Sequence, residues 1–289
     1  MTDHSHLSRQ ATIASVTVAL ILIITKTWAY WSTGSVSLLG SLLDSMLDGV
    51  TSLINFIALR FALVPADDDH KFGHGKLESI AALAQSAFMV GSAVVLVLNS
   101  FDVMIDKRQM VNSHIGVGVS ILAIVLTLAL VAFQRYVIKR SKSLIVEADS
   151  LHYQGDLLMN GAVLLAMALV GFGWYWIDAV MAIGIGVFLC VNAWHVGAKA
   201  FKELMDQQLP EVEAIVEQLV RNEHGPEGCH DVRCRQSGPD LFIQFHLELD
   251  ENLALWSAHE IGDRIEKKIK ESYPNADVLI HHDPVKVEG

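Results

Sequence analysis

The sequence predicts a membrane α-helical protein, with six transmembrane helices followed by a small soluble domain of helices and strands. Of its 289 residues, 52% are hydrophobic and 18% are charged, and the mean hydropathy is +0.39. This composition is typical of an integral membrane protein. Residues 1–207 carry 13 Lys and Arg against 15 Asp and Glu, whereas residues 208–289 carry 8 against 17. We therefore predict a transmembrane domain over 1–207 and a separate acidic domain over 208–289.

Six apolar segments are long enough to cross the roughly 30 Å hydrocarbon core of a bilayer. They lie near residues 11–31, 36–63, 79–101, 114–134, 145–172 and 177–201. The fifth segment is the least regular, because its first half contains Glu147, Asp149, His152 and Asp156. We still predict a span there, since the polar residues from Asp149 onwards fall on one helical face that can point into a bundle.

Basic residues indicate how the spans are oriented. If both termini lie on one side, that side collects ten Lys and Arg residues, whereas the other side has Lys26, Lys107 and Arg108. Both termini are therefore predicted to be cytoplasmic, in a multi-pass protein of the cytoplasmic membrane that contacts membrane lipid. The net charge of -11 argues against nucleic acid as a partner and fits a surface that attracts cations.

From about residue 208 the sequence has the pattern of a small α/β domain. Residues 210–224 have a helical pattern that begins with a proline, and residues 256–273 have a second helical pattern. The predicted strands are 230–236, 241–249 and 277–283. The second strand alternates apolar and polar residues, so one of its faces is predicted to be core. The predicted order is αββαβ.

Two pairs of charged residues lie inside predicted spans, each at a spacing of four. They are Asp44 with Asp48 in the second span and His152 with Asp156 in the fifth. This spacing places each pair on one helix face, near the middle of the membrane. An ionisable group at that depth costs about 2.5–3.5 kcal/mol on insertion scales and is rarely present without a function. Three carboxylates and one imidazole form a ligand set for a tetrahedral divalent metal ion, which we predict the protein moves.

The alternative for these four residues is that the acids cap helices or pair with basic residues across the bundle. We disfavour it, because no basic residue is expected at matching depth and Lys26 lies near the outer end of its span. Metal binding requires deprotonated carboxylates and a neutral imidazole, so exchange of metal for protons follows from the ligand chemistry. Four protein ligands leave no position for an activated water, which argues against a hydrolytic enzyme.

The loop after the second span contains a second candidate metal site. Asp67 is followed by His70 and His74, with Gly73 and Gly75 permitting tight turns. The alternative is a solvated acidic loop that concentrates cations without a defined site.

A third candidate site lies in the acidic domain. Its candidate ligands are His230, His246, His259, His281, His282 and Asp283. Solvated surface histidines are the alternative, but five imidazoles and a carboxylate in one small domain favour a site. A thiolate site at Cys229 and Cys234 is disfavoured, because a strand would point Cys234 into the core.

These features occur in one order along the chain, in the strings SLLDSMLDG, DHKFGHGK, VEADSLHYQGD and IQFHLELD. From about residue 9 to residue 285 the chain resembles the cation diffusion facilitator family, and within it the bacterial efflux transporters of zinc and ferrous iron. The resemblance implies six transmembrane helices and a metallochaperone-like (ferredoxin-like) cytoplasmic domain. It also implies a homodimer that exchanges cytoplasmic Zn2+, Cd2+ or Fe2+ for protons.

The resemblance also implies roles for individual residues. Asp44, Asp48, His152 and Asp156 match the family's transport site, and Asp67, His70 and His74 match a loop site. His230, His246, His259, His281 and Asp283 match a binuclear site at the cytoplasmic dimer interface, with His282 left out. Lys76 and Asp206 match a charged interlock that holds the two protomers together near the membrane surface. The mixed Asp and His transport set is similar to the zinc and cadmium class, and the lack of sulfur ligands disfavours Cu(I).

The sequence therefore predicts a homodimeric divalent-cation/proton antiporter of a bacterial inner membrane, exporting Zn2+ with Cd2+ and Fe2+ as alternatives. A membrane-anchored metal sensor that transports nothing is the main alternative. An intramembrane metallohydrolase is disfavoured by the absence of a His-Glu-x-x-His motif, and an exporter of organic cations would favour aromatic cages.

Overall fold

The computed structural model describes residues 3–33, 36–105, 114–170 and 177–285. Lys107 and Arg108, and the end of the predicted fifth span, lie outside these ranges. The chain forms two compact units, Met1–Phe201 and Lys202–Gly289. The domain boundary after residue 207 stays a prediction.

Six long helices make up the first unit, and they cover the six predicted spans as far as the structure describes them. They are α1 (Asp3–Thr33), α2 (Val36–Ala62), α3 (Lys76–Ile105), α4 (His114–Ser141), α5 (Leu144–Val170) and α6 (Ile177–Leu204). Five of them, all except α5, contain a stretch that is long and apolar enough to cross a membrane by length and composition. Within its described residues α5 does not meet this criterion, and its first half carries Glu147, Asp149 and Asp156.

The bundle exposes large apolar side chains and buries polar residues among apolar ones, as a lipid-embedded protein does when its polar groups are satisfied inside. Large apolar side chains such as Ile24, Leu47 and Val95 are exposed on its surface. The buried polar residues of the bundle include Ser15, Lys26, Ser45, Ser52, Asn55, Gln85, Gln134 and Asp149. The exposed apolar surface fits a bundle whose helices meet lipid.

Small residues allow the helices to approach closely. A Cβ on Gly49 of α2 would lie 3.0 Å from Ile23 Cδ1 of α1. A Cβ on Gly155 of α5 would lie 2.9 Å from Leu189 Cδ2 of α6. The two glycines let α1 approach α2, and α6 approach α5, next to the residues with predicted roles. Small residues commonly have this effect between membrane helices.

The second unit has the predicted order αββαβ. Its elements are α7 (Pro210–Arg221), β1 (Pro226–Ser237), β2 (Asp240–Asp250), α8 (Leu255–Ser272) and β3 (Ala276–Val285). The strands form one sheet in the order β1-β2-β3, with β1 antiparallel and β3 parallel to β2. Both helices pack on the apolar face of β2, whose alternating residues Ile243, Phe245 and Leu247 are buried. The opposite face of β2 is left for polar residues.

The two cysteines of this unit do not form a metal site among the described residues. Cys234 is buried in the core, as the strand pattern predicts, and Cys229 is half-buried. Burial raises the pKa of the Cys234 thiol to about 11 and also raises the pKa of the Cys229 thiol. Both groups are therefore protonated at neutral pH, which is unfavourable for thiolate ligation.

Candidate metal centres

Three of the predicted membrane ligands, which we call the membrane cluster, meet between α2 and α5. His152 Nε2 lies 2.9 Å from Asp48 Oδ1 and 3.8 Å from Asp156 Oδ2. One ligand atom from each residue lies within 4.8 Å of the other two, and all three residues are half-buried. Ligand bonds of about 2 Å to a tetrahedral zinc ion would place these atoms roughly 3.3 Å apart. The cluster can therefore close around a divalent ion with small side-chain movements.

Asp44 is the one predicted membrane ligand that does not belong to this group. It lies one turn before Asp48 on α2, and it is exposed rather than half-buried. Its charge nevertheless acts on Asp48 and Lys26. The role of Asp44 as a fourth ligand stays a prediction.

A buried network around Asp149 holds α5 in place one turn before His152. Asp149 Oδ2 accepts hydrogen bonds from Ser15 Oγ at 2.6 Å and from Gln134 Nε2 at 2.8 Å. Its Oδ1 accepts one from Asn55 Nδ2 at 3.0 Å, and Asn55 also donates to Gln85 Oε1 at 2.7 Å. One carboxylate therefore connects α5 directly to α1, α2 and α4, and through Asn55 to α3.

Tyr153, the residue after His152, adds a second connection. Tyr153 is buried, and its hydroxyl lies 2.8 Å from Ser52 Oγ of α2 and 3.3 Å from the Ser15 carbonyl oxygen of α1. The sequence pattern placed Asp149 on the polar face of the fifth span without giving it a role, and it gave Ser52 and Asn55 no role either. Their hydrogen bonds limit the rotation of α2 and α5, and so the directions of the cluster side chains.

The expectation that no basic residue lies at the depth of the acids is wrong. Lys26 of α1 is buried, and its Nζ donates to Ser45 Oγ at 2.6 Å and to the Ser41 carbonyl oxygen at 3.1 Å. Lys26 lies about 11 Å from the end of α1, and Asp44 lies about 12 Å from the start of α2, at 1.5 Å per residue. The helices are consecutive, so both positions are equally deep. Residues Ser15, Ala19, Leu22, Lys26 and Ala29 share the buried stripe of α1, which is the signal that could have identified Lys26.

The predicted loop ligands Asp67, His70 and His74, which we call the loop cluster, also lie together. His70 Nδ1 and His74 Nε2 lie 3.4 and 3.5 Å from the two oxygens of Asp67, and the imidazole centroids are 4.4 Å apart. The backbone N–H groups of His70 and Asp69 donate to Asp67 Oδ1 at 2.7 and 3.0 Å. The hydrogen bond from His70 in particular holds the pKa of Asp67 below its ordinary value. The loop therefore presents an ionised carboxylate between two imidazoles.

In the second unit, the sheet register builds the cytoplasmic cluster of His230, His246 and Asp283. His246 lies opposite His230 on β1 and opposite His281 on β3. Asp283 Oδ2 lies 2.8 Å from His246 Nδ1 and 3.3 Å from His230 Nε2, and Asp283 Oδ1 lies 3.2 Å from His281 Nε2. The hydrogen bond from His246 lowers the pKa of Asp283. One carboxylate thus faces three imidazoles on three neighbouring strands.

The structure gives two residues positions that the sequence analysis did not predict. Glu248 was not singled out, yet its Oε1 lies 2.9 Å from His230 Nδ1. It is two residues after His246, so strand alternation could have placed it on the same face. His259 lies on α8 and pairs with Asp263 at 3.6 Å, and the structure does not bring it into the cytoplasmic cluster. Its assignment to the dimer site stays a prediction.

The proposed interlock of Lys76 and Asp206 also stays a prediction, because the two residues belong to different compact units. Lys76 begins α3. Asp206 has φ +52°, and its carboxylate lies 3.3 Å from Arg235 Nη1 of β1. Arg235 is thus a partner of Asp206 that sequence reasoning did not identify.

A polar-lined helical bundle with a carboxylate–imidazole cluster, followed by a soluble domain with a second one, defines a membrane protein that handles metal cations. Comparison with known proteins identifies the family. Residues 12–205 match the cation efflux transmembrane domain, and residues 209–285 match the cytoplasmic domain of cation efflux proteins. The chain belongs to the cation efflux family, so the resemblance to cation diffusion facilitators is confirmed.

Relatives of similar length support this membership. The chain is 45% identical over 286 residues to the cation-efflux pumps FieF of Salmonella choleraesuis and Salmonella typhimurium, covering 98% of this chain and 95% of each relative. The predicted fold class, a membrane helical domain with a cytoplasmic ferredoxin-like domain, is confirmed. The chain is a multi-pass membrane protein of a transporter family.

Two solved structures resemble part of the chain. The zinc form of CzrB is 26% identical with a TM-score of 0.25, covering 27% of this chain and 92% of that chain. The nickel form of a MamM CTD is 15% identical with a TM-score of 0.26, covering 27% of this chain and 100% of that chain.

Proposed function

We propose that the protein is a divalent metal cation/proton antiporter that exports Zn2+ from the cytoplasm. The observation that carries this proposal is the membrane cluster, in which one imidazole and two carboxylates place ligand atoms within 4.8 Å of one another inside a membrane bundle. Ionisable groups at this depth are tolerated mainly where they serve an ion pathway. The names of the FieF relatives, cation-efflux pumps, support the same activity.

Proton exchange follows from the hydrogen bond inside the cluster. His152 Nε2 and Asp48 Oδ1 share a proton at 2.9 Å. A metal ion ligated by both atoms must take the place of that proton, because ligation requires a lone pair on each of them. Release of the metal leaves the two groups to be protonated again. The same three side chains thus accept either protons or a divalent ion, which is the requirement for antiport.

Zn2+ is the cargo that best fits the donor atoms. Imidazole nitrogen with carboxylate oxygen in a four-coordinate site is a common zinc set, with Asp44 proposed as the fourth ligand. Cd2+ and Fe2+ are the alternatives. Neither a thiolate nor a thioether belongs to the membrane cluster as described, which is unfavourable for Cu(I).

The cytoplasmic cluster is proposed to stabilise and regulate a homodimer. Its ligands lie on the polar face of a three-stranded sheet, where metal would neutralise a strongly acidic domain. Metal that binds the dimer better than the monomer would shift the protein towards the dimer. Both termini are proposed to be cytoplasmic, as the distribution of basic residues predicts.

The test is Zn2+ flux into proteoliposomes under a pH gradient, for the wild type, Asp48→Ala and the surface control Glu251→Gln. Flux that needs the gradient, is lost in Asp48→Ala and persists in Glu251→Gln would support the proposal. Equal flux in wild type and Asp48→Ala would remove the assignment of the membrane cluster. Binding of Zn2+ by the wild type without any flux would favour the metal sensor.

A further inference from the structure

The side chain that the proposed transport chemistry leaves unused is Lys26. It lies on the buried stripe of α1 and is 8% exposed. Its side chain ends in a charge, whereas its neighbours on that stripe, Leu22 and Ala29, are apolar. Its Nζ is held by Ser45 Oγ at 2.6 Å and by the Ser41 carbonyl oxygen at 3.1 Å. A buried ammonium held by two neutral oxygens is costly. Its position must therefore be compensated by charges a little further away.

Those charges are the acids of the metal site. Ser45 lies between Asp44 and Asp48 in the sequence of α2, so the ammonium is held on the turn of α2 that carries both acids. Asp44, Asp48 and Asp156 all attract Lys26 electrostatically. Among the residues that the structure describes, however, no carboxylate oxygen lies within 4.0 Å of its Nζ. Ser45 thus holds the ammonium near the proposed metal ligands, and the ammonium forms no direct ion pair with any of them.

We propose that Lys26 is the fixed counter-cation of the transport site, a positioning residue that weakens metal binding and thereby speeds metal release. The proposal rests on the transport function proposed above. Three ionised carboxylates and one ammonium carry a net charge of −2, which one divalent ion neutralises. Without the ammonium the empty site would carry a net charge of −3 inside the bundle, so loss of the metal would be less favourable.

The repulsion between Lys26 and the cargo is the physical basis of the effect. A fixed positive charge held at the same turn of α2 opposes an ion of charge +2. Screening is weak there, because water is largely excluded from the interior of the bundle. Each protein carboxylate attracts the metal, whereas Lys26 repels it. Removing this charge should therefore tighten binding and slow the departure of the ion, which is the opposite of what loss of a ligand does.

The experiment measures the concentration dependence of Zn2+ flux in proteoliposomes for wild type, Lys26→Met and Lys26→Arg. Methionine is similar in length without charge, and arginine keeps the charge. Lys26→Met is expected to lower the KM for Zn2+ at least about tenfold and to lower the maximal rate by a similar factor. Lys26→Arg is expected to stay within about threefold of the wild type in both quantities.

Two results would overturn the inference: a KM in Lys26→Met that is unchanged or raised, or the same fall in KM in Lys26→Arg as in Lys26→Met. If Lys26→Met does not give a monodisperse protein, Ser45→Ala tests the inference instead. This variant removes the 2.6 Å hydrogen bond to Lys26 Nζ and keeps the lysine. A smaller fall in KM for Ser45→Ala supports the inference, and an unchanged KM rejects it. Wild type without flux would instead reject the transport function itself.

Discussion

The membrane cluster and the cytoplasmic cluster use the same kinds of side chain on different scaffolds. In the membrane cluster the ligands stand on two helices whose rotation is fixed by buried hydrogen bonds to Asp149 and Tyr153. In the cytoplasmic cluster the backbone register alone brings His230, His246 and Asp283 together on adjacent strands. The first site therefore depends on helix packing, and the second depends on strand pairing.

The surroundings of the two clusters differ as much as their scaffolds. Water and salt screen the exposed groups around His230, so charge there costs little with or without metal. The acids of the membrane cluster lie in a bundle with an apolar outer surface, so their charge must be neutralised or compensated. Under the proposed function, similar ligand chemistry would serve transport in the membrane cluster and dimer stabilisation in the cytoplasmic cluster.

The largest expected effect comes from the same substitution made in each cluster. Asp156→Asn removes a carboxylate from the membrane cluster and should lower Zn2+ flux at least about a hundredfold, because a neutral amide attracts a divalent ion weakly. Asp283→Asn should leave at least about a third of the wild-type flux at saturating Zn2+. Flux assays in proteoliposomes measure both. Equal loss in the two variants would show that the clusters do not have separate roles.

The buried network is the next most sensitive feature. Asp149→Leu leaves the donors of Ser15, Asn55 and Gln134 without their acceptor, and it should reduce stability by about 2–4 kcal/mol. Thermal unfolding of the purified protein measures the loss. Glu147→Gln on the same helix is the control: its partner is the exposed Lys199, at 2.8 Å, so less than about 1 kcal/mol is expected. Similar melting temperatures for the two variants would contradict the role of Asp149.

The cytoplasmic cluster should determine how much Zn2+ stabilises the protein. At a Zn2+ concentration about 100 times the dissociation constant, one occupied site adds about 2.7 kcal/mol. His230→Ala with His281→Ala should remove this contribution to the metal-dependent stabilisation and weaken dimerisation, whereas the control Asp156→Asn should leave the metal dependence of dimerisation unchanged. Melting curves and size-exclusion profiles with Zn2+ and with a chelator test this. Unchanged metal dependence in the double variant would rule out the sensor role.

The smallest expected effect concerns the scaffold of the second unit. Hydrogen bonds from Lys268 at 2.6 Å and Arg264 at 3.0 Å hold the pKa of Glu223 below its ordinary value. A lowered pKa stabilises the folded state above the unfolded pKa of about 4.3, and the contribution is lost as the pH falls through the lowered value. Glu223→Gln should therefore cost about 1 kcal/mol at pH 7, and the difference should disappear once the pH has fallen below the lowered pKa of Glu223. A pH-independent difference in unfolding free energy would show that the ion pair is not its cause.

Much of this architecture follows from sequence patterns. Spacing of four residues singled out Asp48, His152 and Asp156, which the structure brings together, and strand alternation placed His246 opposite the core. Pattern reasoning did not reveal contacts that depend on side-chain reach between helices, such as Lys26 to Ser45 or Asp149 to Gln134. It also assigned Asp44 and His259 to ligand groups that the structure does not assemble, because spacing defines a face and not a distance.

Leu189 of α6 packs against Gly155, on the turn of α5 that carries Asp156. A Cβ at position 155 would lie 2.9 Å from Leu189 Cδ2, and Asp156 is the next residue. A displacement of α6 towards α5 would therefore press Leu189 against the turn that carries Asp156, a carboxylate of the membrane cluster.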